Sequence, residues 1–295
     1  MIHFTKEGEV DDMKLSEIYI RDPFILPYKG TYYLYGKKAE DALNFCVYES
    51  KDLENWSNPI TVFEPSADFW ATRDFWAPEV HYYQGKFYMF ASFKSEERCR
   101  GTQILVSDCP TGPFLPITQY PVTPEEWECL DGTLYVDQAE QPYMVFCHEW
   151  LQIKNGTVCY APLSEDFRCF LEKPKKLFAA ADYSFVRPTD EAGECFVTDG
   201  VFFYRSTENE LFLLWSSVGE HGYLLSVLKS DNGELNGNWI AKPLLFEQDG
   251  GHGMLFRTFD GELKLILHTP NGPSGEERGV LFSVKEINGN LQLIQ

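Results

Sequence analysis

Four carboxylates and one imidazole recur along this chain in the same local setting. Asp22, Glu79, Asp131, Asp199 and His252 each stand immediately before a short apolar run, then a turn, then a second apolar run. Asp22 leads into PFIL and TYYLYG, Glu79 into VHYY and KFYMFAS, and Asp131 into GTLYV and PYMVF; Asp199 and His252 behave alike. Titratable groups at matching points of successive repeats can meet around one ligand. Carboxyl groups confined together in a partly desolvated place push their pKa values apart, so one stays protonated as an acid while another stays ionised as a base. Asp and Gly also mark strand starts for purely local hydrogen-bonding reasons, which accounts for any one of the five taken alone. All five in phase point to a shared site.

The elements that must position them are short strands. The five residues are separated by 57, 52, 68 and 53 positions, the self-similarity of a repeat architecture. Segments rich in Tyr, Phe, Val, Leu and Ile alternate with turn clusters such as Tyr28-Lys29-Gly30, Gln84-Gly85-Lys86, Glu208-Asn209-Glu210 and Asp260-Gly261-Glu262, and helical patterning is almost absent. Each repeat holds about four strands in roughly 55 residues, the content of one propeller blade. The expectation is an all-β, five-bladed β-propeller forming a single domain over 1–295. A pair of β-sandwiches would leave the spacing unexplained, and the blade signatures of WD, kelch and sialidase-like propellers are missing. Segments 1–17 and 279–295 are candidates to share a blade and close the ring.

Composition narrows the function. With 44% apolar and 16% aromatic residues, 295 residues can bury a large core. A net charge of −20 disfavours nucleic acid and anionic membranes and suits a neutral small or polymeric ligand. Residues 1–20 carry no basic segment followed by an apolar one, and no run approaches the length of a membrane span. The eight cysteines form no C-x-x-C pair, and most interrupt strand-like runs, which reads as reduced, buried, small apolar residues. A cytoplasmic location is expected.

Taken together and in order, Arg21-Asp22-Pro23-Phe24-Ile25, Trp76-Ala77-Pro78-Glu79-Val80, Leu130-Asp131, Thr198-Asp199-Gly200 and Gly251-His252-Gly253 resemble the family-43 glycoside hydrolases, five-bladed propellers that hydrolyse arabinofuranosides and xylosides with inversion. The resemblance implies that Asp22 is the general base activating water, Asp131 the residue that tunes and orients the acid, and Asp199 the general acid. The chain departs from the family at the last, with Asp for Glu and Val201 for Pro. An inverting enzyme holds its two carboxyl groups about 6.5–9.5 Å apart to admit the water, so a side chain one methylene shorter must be offset elsewhere. Glu79, where the family usually has Asp, is expected to bind a substrate hydroxyl or a basic residue. The histidine equivalent to His252 lies near the channel axis in the family and often contacts a cation or its waters, so His252 is the expected metal contact. Calcium is the ion implied, although a hard cation prefers oxygen ligands. No redox or zinc motif is present, and no cofactor is required.

Sugar rings present C–H faces that pack on aromatic rings while their hydroxyls need directional partners. Trp76 and Trp150 are the expected platforms. Arg278 is expected to donate to a sugar hydroxyl, and Arg21 and Arg73 to offset surplus carboxylate charge. The reading is an inverting, exo-acting glycosidase releasing α-L-arabinofuranosyl or β-D-xylosyl units from plant-derived oligosaccharides. The alternatives are a carbohydrate-binding propeller without chemistry, and a retaining five-bladed glycosidase with an aspartyl nucleophile.

Overall fold

The computed structural model describes residues 12–294, which form five antiparallel sheets. Their innermost strands are Phe24–Tyr28, Arg73–Tyr83, Cys129–Val136, Asp199–Arg205 and Gly251–Arg257. Each of these touches the innermost strand of the blade before it and the blade after it, with the fifth against the first, so the five enclose a channel. In blades 2 to 5 three further strands follow outward in chain order. Two-residue turns set the tight hairpins: Lys29-Gly30 and Gln84-Gly85 all have positive φ, the turn geometry whose twist matches that of paired strands.

Blade 1 differs at its outer edge. Ile60–Phe63 pairs with Phe45–Ser50, and Asn55–Trp56 pairs with both that strand and Met13–Lys14. The expected sharing of one blade by the two chain ends is therefore not found among the described residues. Blade 5 draws all four strands from 251–294. The ring closes instead by side-chain packing, with Met254, Phe256 and Ile266 of blade 5 in one core cluster with Ile25, Leu34 and Tyr35 of blade 1. A bridge between Tyr19 and Arg278 adds backbone contact. Aromatic residues fill the wedges: Phe45, Phe63, Phe75 and Phe93 interlock between blades 1 and 2 at centroid separations of 4.9–6.2 Å. None of the eight cysteines is joined in a disulfide; Cys46, Cys129, Cys147 and Cys159 are buried, whereas Cys109 and Cys169 are exposed, so the expectation of burial holds for only part of the set.

Candidate active site

One irregularity, repeated around the ring, builds the site. In blades 2 to 5 the register between the innermost strand and its neighbour slips between Trp76 and Glu79, Leu130 and Thr133, Asp199 and Phe202, and Gly251 and Met254. Within each slip one residue has positive φ: Ala77, Asp131, Gly200 and His252. Asp22, ahead of the strand in blade 1, adopts the same conformation with φ 54°. Such bulges re-aim a side chain and are common beside active sites. For the non-glycine residues the conformation costs about 1 kcal/mol or more each, strain that gathers where function demands a fixed geometry.

At three of the five positions the backbone is tied to the second strand of the preceding blade. The Asp131 amide donates to Ser92 Oγ at 3.0 Å, the His252 amide to Ser216 Oγ at 2.7 Å, and the Asp22 amide to His268 Nδ1 at 3.2 Å. Ser92, Ser216 and His268 occupy one equivalent position, which in blade 3 is Cys147. The Gly200 amide donates to the Asp131 carboxylate at 2.9 Å instead. A side chain at Gly200 is excluded twice over: φ is +58°, and a Cβ would lie 2.8 Å from His252 Cγ.

The five residues read as equivalent are thus not all in phase. Asp22, Asp131 and His252 share the bulge position, Asp199 precedes it by one residue, and Glu79 follows it by two. The extra residue in each bulge shifts side chains between faces of the strand. Asp199 still reaches the channel mouth, but Glu79 does not. It is 6% exposed and outside the cleft lining, and its Oε2 lies 3.2 Å from His81 Nε2, so it meets a basic residue, one of its two expected partners, while its charge acts on Asp131 and His252.

That cleft, about 410 Å³, lies over the channel mouth and is lined by Asp22, Asp131, Asp199, His252, Trp76 and Trp150, together with Tyr19, Arg21, Lys37 and Glu149. Both expected tryptophans are in place. The Arg100 guanidinium lies 4.0 Å from the centre of the Trp76 ring and bonds to Glu149 and to Asp74, at 2.9 Å for the latter. Arg278 is not there; its guanidinium donates to the carbonyls of Gly275 and Glu277. Arg73 pairs with Glu96 on the surface. Arg21 is the cation beside Asp22, held by Glu277 at 2.9 Å and by Asn271.

Charge is divided unequally among the three aspartates. Burial would raise Asp22, but the His252 imidazolium, with Nδ1 3.0 Å from Asp22 Oδ1, holds that carboxyl well below the usual carboxylate range. Burial would lower His252, yet Asp22 and Asp131 carry it up to about 10. Asp131 is pushed up to about 6 by burial and by Asp22, against the pull of His252 and the Gly200 amide. Asp199 is pushed up to about 7 by burial and then by the Asp131 charge. Burial, with Arg21 and His252 alongside, lowers His268 to about 4. It is neutral there, accepting from the Asp22 amide through Nδ1 and donating through Nε2 to Asn271 Oδ1 at 3.2 Å.

A protonated His252 is itself the counter-cation of Asp22 and Asp131. That does not fit direct ligation of a hard cation through Nδ1, and the described residues contain no group of three or more ligating side chains arranged for a metal. His252 is placed as an ionic partner of two carboxylates, its Nδ1 3.0 Å from Asp22 Oδ1 and 3.8 Å from Asp131 Oδ2.

Three aspartates, one held low and two pushed up, face one aromatic-walled cleft on this propeller, an arrangement suited to acid–base chemistry on a carbohydrate. The chain belongs to the glycosyl hydrolases family 43, whose profile matches residues 16–282. It is similar to an endo-arabinase from Bacteroides thetaiotaomicron, with 37% identity over 95% of this chain and 99% of that one and a TM-score of 0.89. A xylosidase/arabinosidase of Bacteroides ovatus is 28% identical over 40% of this chain and 42% of its own length. An extracellular endo-alpha-(1->5)-L-arabinanase of Bacillus subtilis is 23% identical over 46% and 45%. The matched segment spans less than half the length of each of these two relatives.

Sequence reasoning missed Glu149, Arg100, Tyr223 and His268. Glu149 follows the second strand of blade 3, and burial pushes it up to about 7 despite Arg100. Of the segment His148-Glu149-Trp150, the search for sugar platforms picks out only Trp150. Nothing in the local sequence of the other three signals the site.

Proposed function

We propose that the protein is an inverting glycosidase that releases α-L-arabinofuranosyl or β-D-xylosyl units from plant-derived oligosaccharides. Asp22 takes a proton from water as the water oxygen bonds to the anomeric carbon. Asp199 gives its proton to the glycosidic oxygen as the carbon–oxygen bond breaks, and Asp131 keeps Asp199 protonated by its charge. The observation that carries this reading is the opposite perturbation of two carboxyls on one cleft: Asp22 is held ionised by His252, while Asp199 is pushed up to about 7. Trp76 and Trp150 would pack on sugar faces, and Arg21 would donate to a hydroxyl. The likeness to an endo-arabinase favours arabinofuranosyl linkages, and the likeness to xylosidase/arabinosidases favours keeping xylosyl units as the second substrate.

Proton NMR of the first product formed from arabino- and xylo-oligosaccharides tests this. Inversion at the anomeric carbon is expected, with activity lost in Asp22→Ala and Asp199→Ala; retention would point to an aspartyl nucleophile. Sugar binding without cleavage would favour the binding-propeller reading, which the aspartate in place of glutamate at 199 supports. Release of single pentoses supports exo action, and a ladder of oligosaccharides overturns it.

A further inference from the structure

A carboxylic acid catalyst can carry its proton on either oxygen, and only one can face the leaving group. Among the described residues one side chain donates to Asp199, the Tyr223 hydroxyl, 3.2 Å from Oδ2. We propose that Tyr223 is a positioning residue which, by occupying Oδ2, confines the transferable proton of Asp199 to Oδ1. The inference rests on the reading of Asp199 as the acid.

The tyrosine is built to hold that hydroxyl still. Tyr223 lies at the start of Gly222–Ser230, the third strand of blade 4, and is 4% exposed. Its ring stacks on His268 at 5.7 Å and 25°. On Gly251 a Cβ would come within 2.7 Å of Tyr223 Cε1, so glycine leaves the space that the ring fills. The backbone is clamped as well, its amide donating to Asp249 Oδ1 at 3.2 Å and its carbonyl accepting from Gly250 at 3.0 Å. Burial and then the Asp199 charge hold the phenol well above its ordinary pKa, so it remains a donor. The charged groups facing Asp199 are Asp131, His252, Asp22 and Arg21, with Glu149 across the same cleft, and none of them donates a hydrogen bond to its carboxyl. After the proton leaves Oδ1 for the glycosidic oxygen, with the bonding pair going to that oxygen, the Tyr223 hydroxyl donates to the carboxylate left behind. The bond therefore strengthens as the reaction proceeds.

The test is a carbon-13 titration of the Asp199 carboxyl in wild type and Tyr223→Phe, with the resonance assigned by its loss in Asp199→Asn. A donor to the ionised form lowers a pKa, so the midpoint in Tyr223→Phe is expected to rise by about one pH unit. On oligosaccharides kcat is expected to fall about tenfold with KM within about twofold, a part of what general acid catalysis supplies. 3-Fluorotyrosine at position 223, a more acidic donor of nearly the same shape, is expected to move the midpoint down and guards against misfolding of the phenylalanine variant. A midpoint unchanged in both proteins overturns the proposal. If instead Asp199→Ala keeps wild-type kcat on oligosaccharides, the acid assignment itself falls, whatever Tyr223 does.

Discussion

Replacing Asp199 by Asn should make the protein more stable, and more so at alkaline pH than at acid pH. The group titrates at an ordinary 3.8 in the unfolded chain and is pushed up to about 7 in the fold. A carboxyl with a raised folded pKa contributes stability that is complete below 3.8 and is lost as pH climbs through 7. Between pH 5 and pH 8.5 the wild type therefore loses about 1.4 kcal/mol for each of the two units from 5 to 7, near 3 kcal/mol at most. Water in the cleft screens part of this, leaving on the order of 2 kcal/mol. Asparagine fills the same volume and cannot ionise. At about 2 °C per kcal/mol for a chain of this size, and with about 1 kcal/mol already lost between pH 3.8 and pH 5, Asp199→Asn should melt roughly 6 °C above wild type at pH 8.5 and roughly 2 °C above it at pH 5. Thermal unfolding followed by circular dichroism at the two pH values reads the difference. An increment equal at both pH values, or larger at pH 5, would refute the claim that Asp199 is held protonated by burial and by Asp131.

Other consequences follow from the same geometry. kcat/KM should persist into acid, where Asp22 is still ionised, and fall above about pH 7 as Asp199 loses its proton; a profile rising through pH 8 would contradict this assignment of acid and base. Gly200→Ala should destabilise by about 2 kcal/mol, through strain at φ +58° and contact with His252, and should lower kcat by displacing the Asp131 acceptor; urea titration and steady-state kinetics check both. Trp76→Ala should raise KM about tenfold or more, whereas Arg278→Ala should leave KM within about twofold because its guanidinium serves only nearby carbonyls.

The spacing of ionisable residues disclosed the blades because each lies near the start of an innermost strand, where the hydrophobic run begins. Asp22, Asp131 and His252 fall in phase for a further reason: Asp and His tolerate the left-handed conformation that the bulge requires. Glu79 falls outside the cleft lining because the bulge just before it falls on Ala77, which carries no charge to betray it, and alternation counted through a bulge assigns the wrong face. Arg278 sits beside the ring closure in sequence, but its direction is set by a local turn with Gly275. Tyr223, His268 and Arg100 come from second and third strands, whose reach into the site depends on the angle between neighbouring blades. No pattern along one strand encodes that angle.

The pairing of Asp22 with His252 joins residues 230 positions apart, the first blade with the last. During synthesis Asp22 emerges early, and the imidazolium that stabilises its buried charge is made only when the fifth blade is translated. Until then a desolvated carboxylate at this position lacks its counter-charge, which favours an open, water-filled first blade over a closed one. Competence for chemistry is thereby tied to completion of the ring: a nascent or truncated chain with four blades lacks the cation that makes its base a base.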